Sequence, residues 1–200
     1  MKEIRKLDMQ FRAVEDSEKM KIEGYAAVFN SPETYAYTEV ISDRAFDDAD
    51  MSDVVLRYNH NDSFMVLART RNKSLNLNVD EKGLLMDATL QEDITDHKNI
   101  YNAIKSGLID KQSFAFSVAE DEYDYDTDTR TITKIGKLYD VSVVDQPFYN
   151  STDVNIARNE NDEFLEKREK LRKEHEEKLE EEKKAKELQE AKEKLLSKLG

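Results

Sequence analysis

The sequence predicts an α+β fold, mainly β: a closed or nearly closed β-barrel with a few short helices, followed by a long charged C-terminal α-helix. Three observations lead there. Apolar and polar residues alternate at period two in short blocks from residue 4 to residue 144, with turn signals between them. The best helical spacing in that body lies at 96–108. From 160 to 199 the 200-residue chain has neither Gly nor Pro and is dominated by Glu, Lys and Leu, all good helix formers. The boundary is set at the change in composition, giving a barrel domain over 1–157 and a helical or coiled-coil tail over 158–200.

In chain order, Ile4, Leu7, Met9 and Phe11 mark a first strand and 22–30 a second, closed by the turn signal Asn30-Ser31-Pro32. Residues 35–41 read as a short strand. Residues 43–49 read as one or two helical turns, with Ser42 or Asp43 as N-cap. The apolar run 54–58 is a strand that delivers His60. The β pattern continues through 65–68, 74–79 and 84–90, with Asp80-Glu81-Lys82-Gly83 as a hairpin connection. Helix 96–108 places Ile100, Ala103, Ile104 and Leu108 on one face, with Asp96 as its cap and Gly107 near its end. It feeds a strand over 111–118. There Phe114, Phe116 and Val118 share one side and Ser113, Ala115 and Ser117 the other. The acidic segment 120–128 reads as a solvated hairpin tip, followed by strands at 129–135 and 138–144.

The tail holds i,i+4 pairs in the favourable Glu-first order: Glu166/Lys170, Glu169/Lys173, Glu174/Lys178, Glu180/Lys184 and Glu190/Lys194. Helical throughout, about 40 residues would make a rod of roughly 60 Å. Its apolar residues (Phe164, Leu171, Leu179, Ala185, Leu188, Leu195, Leu199) are sparse and only loosely heptad. Both a lone helix held by ion pairs and a self-associating coiled coil fit this pattern.

Charge and composition narrow the function. The net charge is −13, and residues 160–200 carry 12 basic and 14 acidic residues, which leaves 19 basic and 30 acidic in the body. So acidic a body lacks the clustered Lys and Arg that nucleic acid or an anionic membrane requires. The absence of cysteine excludes disulfides and thiol catalysis. No leader-like or membrane-spanning apolar run occurs, so a soluble cytoplasmic protein is expected. With three scattered histidines a zinc site is not expected, and the five glycines form no phosphate-binding loop. Asp124-Tyr125-Asp126-Thr127-Asp128 opens like a calcium loop, but Thr129 stands where Gly is needed and Ile135 where Glu is needed. No cofactor or metal is expected.

Three residues have chemistry to offer. Ser113 opens an aromatic-rich strand; His60 ends a strand in an Asn-His-Asn-Asp loop; Asp140 stands among Val141, Val143 and Val144. Each has an ordinary reading: a strand serine, a surface histidine, and an acid on the solvated side of its strand beside Ser142. Together they are the nucleophile, base and orienting acid that general-base activation of a hydroxyl needs, whatever their order in the chain. His97 is expected to be exposed on a charged helical turn, and His175 to be solvated in the tail.

Several segments are ordered like those of the phage prohead (capsid maturation) serine proteases, whose fold is similar to that of herpesvirus assemblin proteases. Gly24-Tyr25-Ala26-Ala27-Val28-Phe29-Asn30 resembles the family's opening strand. Glu39-Val40-Ile41 with Asp43-Arg44-Ala45-Phe46 resembles its acidic-hydrophobic lead-in to a Gly-Ala-Phe helix, Arg44 replacing Gly. Asn59-His60 with Asp62 resembles Asn-His-Asp with one residue inserted. Gly83-Leu84 and Ile104-Lys105-Ser106-Gly107 also match. Gln112-Ser113-Phe114-Ala115-Phe116 resembles Met-Ser-Phe-Gly-Phe. Leu138-Tyr139-Asp140-Val141-Ser142-Val143-Val144 with Pro147 resembles Leu-x-Glu-Val-Ser-Val-Val-x-x-Pro, with Asp for Glu.

The resemblance spans 21–156. It implies that Ser113 is the nucleophile, His60 the general base and Asp140 the residue that orients His60. In the herpesvirus relatives a histidine fills the third position, and Asp is one methylene shorter than Glu, so the strand of Asp140 must sit closer to His60. Backbone N–H groups are the expected oxyanion donors. The resemblance further implies a serine endopeptidase inside the assembling procapsid, in the host cytoplasm. It would cut the scaffold segment or N-terminal extension of the major capsid protein, and itself. Self-association would run through the C-terminal helix, with no nucleic-acid or membrane partner. The reading from another class is a non-catalytic capsid assembly or scaffolding protein.

Overall fold

Period-two alternation produces strands at most of the expected places, and two of them run well beyond what the alternation indicates. The computed structural model describes residues 2–14, 19–34, 37–145, 166 and 169–187, with side chains at all of these except 6–11. The chain divides into two compact units, Met1–Asp153 and Val154–Gly200. The first holds β1 (Glu3–Ala13), β2 (Lys21–Val28), β3 (Glu33–Thr34), β4 (Thr38–Ile41), β5 (Val55–Tyr58), β6 (Ala68–Arg69), β7 (Leu75–Val79), β8 (Gly83–Thr89), β9 (Lys111–Asp124) and β10 (Thr129–Val144). A turn of 3-10 helix at Thr70–Asn72 and α1 (Thr95–Lys105) complete it.

The acidic segment 120–124 does not loop out. It extends β9 with its charges facing outward, and the hairpin tip shrinks to a turn in which Asp124 Oδ1 accepts the Asp126 and Thr127 N–H groups. Strand β10 likewise runs unbroken through Gly136. Residues 43–49 form successive turns rather than a helix, bonded Ala45 to Ser42, Asp47 to Arg44 and Ala49 to Phe46. The expected strand at 65–68 shrinks to β6.

Strands are ordered β3-β4-β10-β9-β1-β2-β8-β7, with β5 on β10 and β6 on β5. The expected barrel is not formed, because β3 and β7 end the path and do not pair with each other. The reason lies in the unequal lengths. The 16-residue β10 carries two short parallel strands end to end on one edge, β4 along Thr129–Ile132 and β5 along Asp140–Val143. Strand β1 divides its pairing in the same way. Glu3 to Leu7 and Gln10 lie on β9, and Phe11 to Ala13 lie on β2, with a register break between Leu7 and Gln10.

The inward faces meet in one core. Phe114 and Phe116 stack at 4.8 Å and are fully buried with Ile22, Leu84, Met86, Ile132, Ile135 and Leu138. Each buried phenylalanine contributes about 1.5–3 kcal/mol of transfer free energy. Helix α1 adds Ile100 and Ile104. It ends earlier than its pattern suggests, with Gly107 in the left-handed region (φ 73°) and Leu108 76% exposed. Asp96 is not the cap; Ile94 holds that position, and Asp96 lies in the first turn, where its charge complements the helix dipole.

In the second unit, α2 (169–187) is helical with exposed Leu171 and Leu179, and His175 is partly covered. Two expected pairs, Glu169/Lys173 (3.1 Å) and Glu180/Lys184 (3.9 Å), close along it, as does Arg172–Glu176 (3.1 Å). Phe164, Leu188, Leu195, Leu199 and the Glu190/Lys194 pair lie outside the described residues. Among the described residues no helix is long and apolar enough to cross a membrane.

Gly83 tests the close approach of β8 to β2. A Cβ there would stand 2.0 Å from the carbonyl oxygen of Ala27 and 2.9 Å from Val28 Cα, both of them backbone. Gly83→Ala is therefore expected to cost about 1–3 kcal/mol or more, as overpacking does. Urea unfolding measures it, and an unchanged midpoint would mean that β2 yields freely.

Candidate active site

Three adjacent strands bring the site together. Strand β10 lies between β9 and β5, with Ser142 opposite Ser113 and Asp140 opposite Ala115 on one side, and Tyr58 opposite Val143 on the other. Ser113 and Ala115 point away from the phenylalanine face of β9. Asp140 reaches that same side only because of a β-bulge. Leu138 pairs with Phe116 and Asp140 with Ala115, so Tyr139 is an extra residue. Without it, strict alternation would put Asp140 on the core face with Leu138. The bulge keeps Leu138 in the core and turns the carboxylate toward Ser113.

His60 arrives from the end of β5. Asn59 and His60 both adopt positive φ (53° and 54°), and the Asn61 N–H bonds to the Tyr58 carbonyl at 3.0 Å, the pattern of a type I′ turn. Such a φ on a non-glycine residue is held by its surroundings. Here the Asn59 N–H donates to the Val143 carbonyl (3.0 Å), its Oδ1 accepts the Asp145 N–H (3.2 Å), and Arg57 bonds the Asn61 carbonyl (3.2 Å). The tight turn folds the imidazole back over β10.

The resulting chain is short. Asp140 Oδ1 lies 2.6 Å from His60 Nδ1, and His60 Nε2 lies 2.6 Å from Ser113 Oγ. Ser142 Oγ donates to Asp140 Oδ1 at 2.9 Å and stands 3.1 Å from His60 Nδ1; Lys2 Nζ is 3.3 Å from Asp140 Oδ2. The Ser113 hydroxyl also meets the Arg5 carbonyl at 2.7 Å. An ionised carboxylate on Nδ1 requires the proton there, which leaves Nε2 as the acceptor for the serine hydroxyl. Burial pushes the Asp140 carboxyl up, but the His60 hydrogen bond, the charges of His60 and Lys2, and the Ser142 hydroxyl together hold it below the usual carboxylate range.

Beside the site, Glu3 and Arg5 of β1 meet a largely buried ion cluster. Glu39 is 4% exposed and accepts two bonds from Arg5, while Arg130, equally buried, reaches Glu3 (2.9 Å), Glu39 (3.2 Å) and Asp121 (2.6 Å). Burial alone would lower both guanidinium pKa values, but the carboxylates around them raise both instead. The charges alternate so that each buried one has an opposite neighbour.

All three expected residues thus lie within hydrogen-bond reach in one array. Asp140 and Ser142 do share a side of the strand, but both are buried, at 2% and 1%, and do not face solvent. His97 reverses its expectation. It is 2% exposed, accepts the Gln91 N–H on Nδ1 (3.0 Å) and pairs through Nε2 with the Val66 carbonyl (3.1 Å), which makes it a structural residue. Sequence reasoning missed the contributions of Ser142, Lys2 and the Arg5 carbonyl. Ser142 was within reach, since it stands two residues from Asp140 on the same strand; nothing local marks Lys2 or Arg5.

A hydroxyl, an imidazole and a buried carboxylate in series form the arrangement on which serine hydrolases rely. The family model of the caudovirus prohead serine proteases matches residues 7–167, and the chain belongs to that family. It is therefore of the serine protease class, and of the branch associated with phage capsid maturation. Comparison with curated proteins and with solved structures found no match.

The Asp140 environment has a measurable consequence. Its folded-state pKa lies below the unfolded value of about 3.9, so its stabilising effect is fully present above that value and is lost as pH falls through the folded one. Between about pH 5 and pH 2, urea midpoints of the wild type should fall more steeply than those of Asp140→Asn. Parallel curves would mean that the carboxylate gains nothing from its partners.

Proposed function

We propose that this chain is the serine endopeptidase of a phage procapsid, with Ser113 as nucleophile, His60 as general base and Asp140 as the group that orients and charge-balances the imidazole. The observation that carries the reading is the unbroken 2.6 Å and 2.6 Å relay from carboxylate to hydroxyl in a chain of the prohead protease family.

The chemistry follows from the proton positions. His60 Nε2 takes the Ser113 proton as Oγ bonds to the scissile carbonyl carbon, and the imidazolium is balanced by Asp140. The C–N bond then breaks, the Nε2 proton passes to the leaving amine, and an acyl-enzyme remains. Water enters, gives a proton to Nε2 and attacks the ester. Return of that proton to Oγ releases the acid and restores the serine. The short Asp side chain serves because the Tyr139 bulge turns it toward the imidazole and Ser142 holds it.

The substrate is the scaffold segment or N-terminal extension of the major capsid protein, and the chain itself, cut within the assembling procapsid in the host cytoplasm. Residues 1–157 form the catalytic part. The tail, 158–200, self-associates as a coiled coil through its sparse apolar stripe or remains a lone charged helix. One observation favours the non-catalytic assembly reading: Ser113 is wholly buried, at 0% exposure.

Ser113→Ala is expected to lower peptide cleavage by roughly three orders of magnitude or more without changing the melting temperature. Intact mass should show self-trimming in the wild type only. Capsid protein shortened equally by the variant in co-expression would support the assembly reading.

A further inference from the structure

A nucleophile must come within about 3–3.5 Å of the carbon it attacks, yet Ser113 is 0% exposed. Two groups touch its hydroxyl: His60 Nε2 at 2.6 Å and the backbone carbonyl of Arg5 at 2.7 Å. The first belongs to the proposed machinery. The second belongs to the leading half of β1, which lies antiparallel along β9 with Ile4 opposite Ala115, Arg5 opposite Phe114 and Lys6 opposite Ser113. The same segment places Lys2 Nζ 3.3 Å from Asp140. Residues 2–6 thus sit on both ends of the relay.

This half-strand is built to be separable. Its pairing partner is β9 alone, since β2 takes over only at Phe11, beyond the register break. Beyond that ladder, Lys2 pairs with Asp140, Arg5 with Glu39 and Glu3 with Arg130, and the Arg5 guanidinium lies over the Phe116 ring at 5.7 Å. Withdrawal leaves no buried charge alone. Glu3 and Arg5 depart bonded to each other, Glu39 keeps Arg130 (3.2 Å), Arg130 keeps Asp121 (2.6 Å), and Asp140 keeps His60 and Ser142. Lifting one partner from a buried pair is costly, whereas lifting a self-neutral pair from an alternating chain costs far less.

We propose that residues 2–7 form a strap over Ser113, and that the β9 edge they cover, 112–116, is the docking strip for an extended substrate peptide. The peptide adds as an antiparallel strand in place of β1, in the β-augmentation mode, where backbone hydrogen bonds supply affinity. Its carbonyls then pass the point now held by the Arg5 carbonyl, within reach of Oγ. The Arg5 carbonyl is also a second acceptor within reach of the single serine proton, so the strap competes with Nε2 for it. This rests on the protease reading above for the chemistry, but the motion of the strap can be tested without it.

The chain has no cysteine, so a single engineered disulfide is unambiguous. Ile4→Cys with Ala115→Cys joins directly opposed residues across β1 and β9. In the full-length chain, the oxidised form is expected to lose at least 100-fold in peptide cleavage and in fluorophosphonate labelling of Ser113, with both restored by reduction. Equal activity of the two forms would overturn the strap. On the unmodified chain, hydrogen exchange read independently of activity should show amides of 3–7 exchanging at least 100-fold faster than those of 138–143 in β10. Equal protection would mean that β1 leaves β9 only on global unfolding, and would also overturn the proposal. Fast exchange at 3–7 in a chain that never labels would uphold the strap and count against the protease reading instead.

Discussion

Keeping one carboxylate charged inside a β-sheet is the constraint on which the rest of this structure depends. Asp140 is 2% exposed, and a lone ionised carboxylate at that depth would take up a proton instead. It stays charged because three elements converge on it: the imidazole at the end of β5, the Ser142 hydroxyl of its own strand, and the Lys2 ammonium ahead of β1. That convergence fixes the imidazole's proton on Nδ1 and aims Nε2 at Ser113. It also explains why β5, β10 and β9 must be neighbours and why β5 runs parallel to β10.

The two long strands are the frame that makes this geometry repeatable. Strands β9 and β10 pair from Lys111 with Val144 to Asp124 with Thr129, so the outer ladder that secures Arg130 and the inner ladder that aligns Ser113 with Ser142 are one continuous piece. The buried ion cluster and the relay therefore share a backbone. Strand β1 connects them a second time, since Arg5 gives its side chain to Glu39 and its carbonyl to the serine. A strand that joins the buried charges to the Ser113 hydroxyl is well placed to govern access to it.

The parts legible in the sequence were those with local signatures. Alternation located β2, β5, β7, β8 and the core side of β9, and Ile100 with Ile104 located the buried face of α1. Taken singly, His60, Ser113 and Asp140 each have an ordinary reading; the ordered segments that resemble the prohead proteases are what single them out together. What failed was local inference about distant partners. The acidic run 120–124 has the composition of a loop but becomes strand because β10 pairs with it. The turns at 43–49 look helical by spacing, and His97 looks exposed until the Val66 carbonyl and the Gln91 amide arrive from other segments.

By itself the sequence determined the class of the body, mainly β with one good helix, its charged helical tail, and the three residue types able to activate a hydroxyl. These are properties of side chains and their immediate neighbours, and period two or 3.6 records them directly. Tertiary structure alone decided that the sheet stays open, that Tyr139 forms a bulge which turns Asp140 out of the core face, and that residues 2–6 lie across the serine. Each depends on which strand sits beside which. Strand pairing is set by backbone hydrogen bonds between segments up to about a hundred residues apart, to which side-chain alternation along one strand is blind.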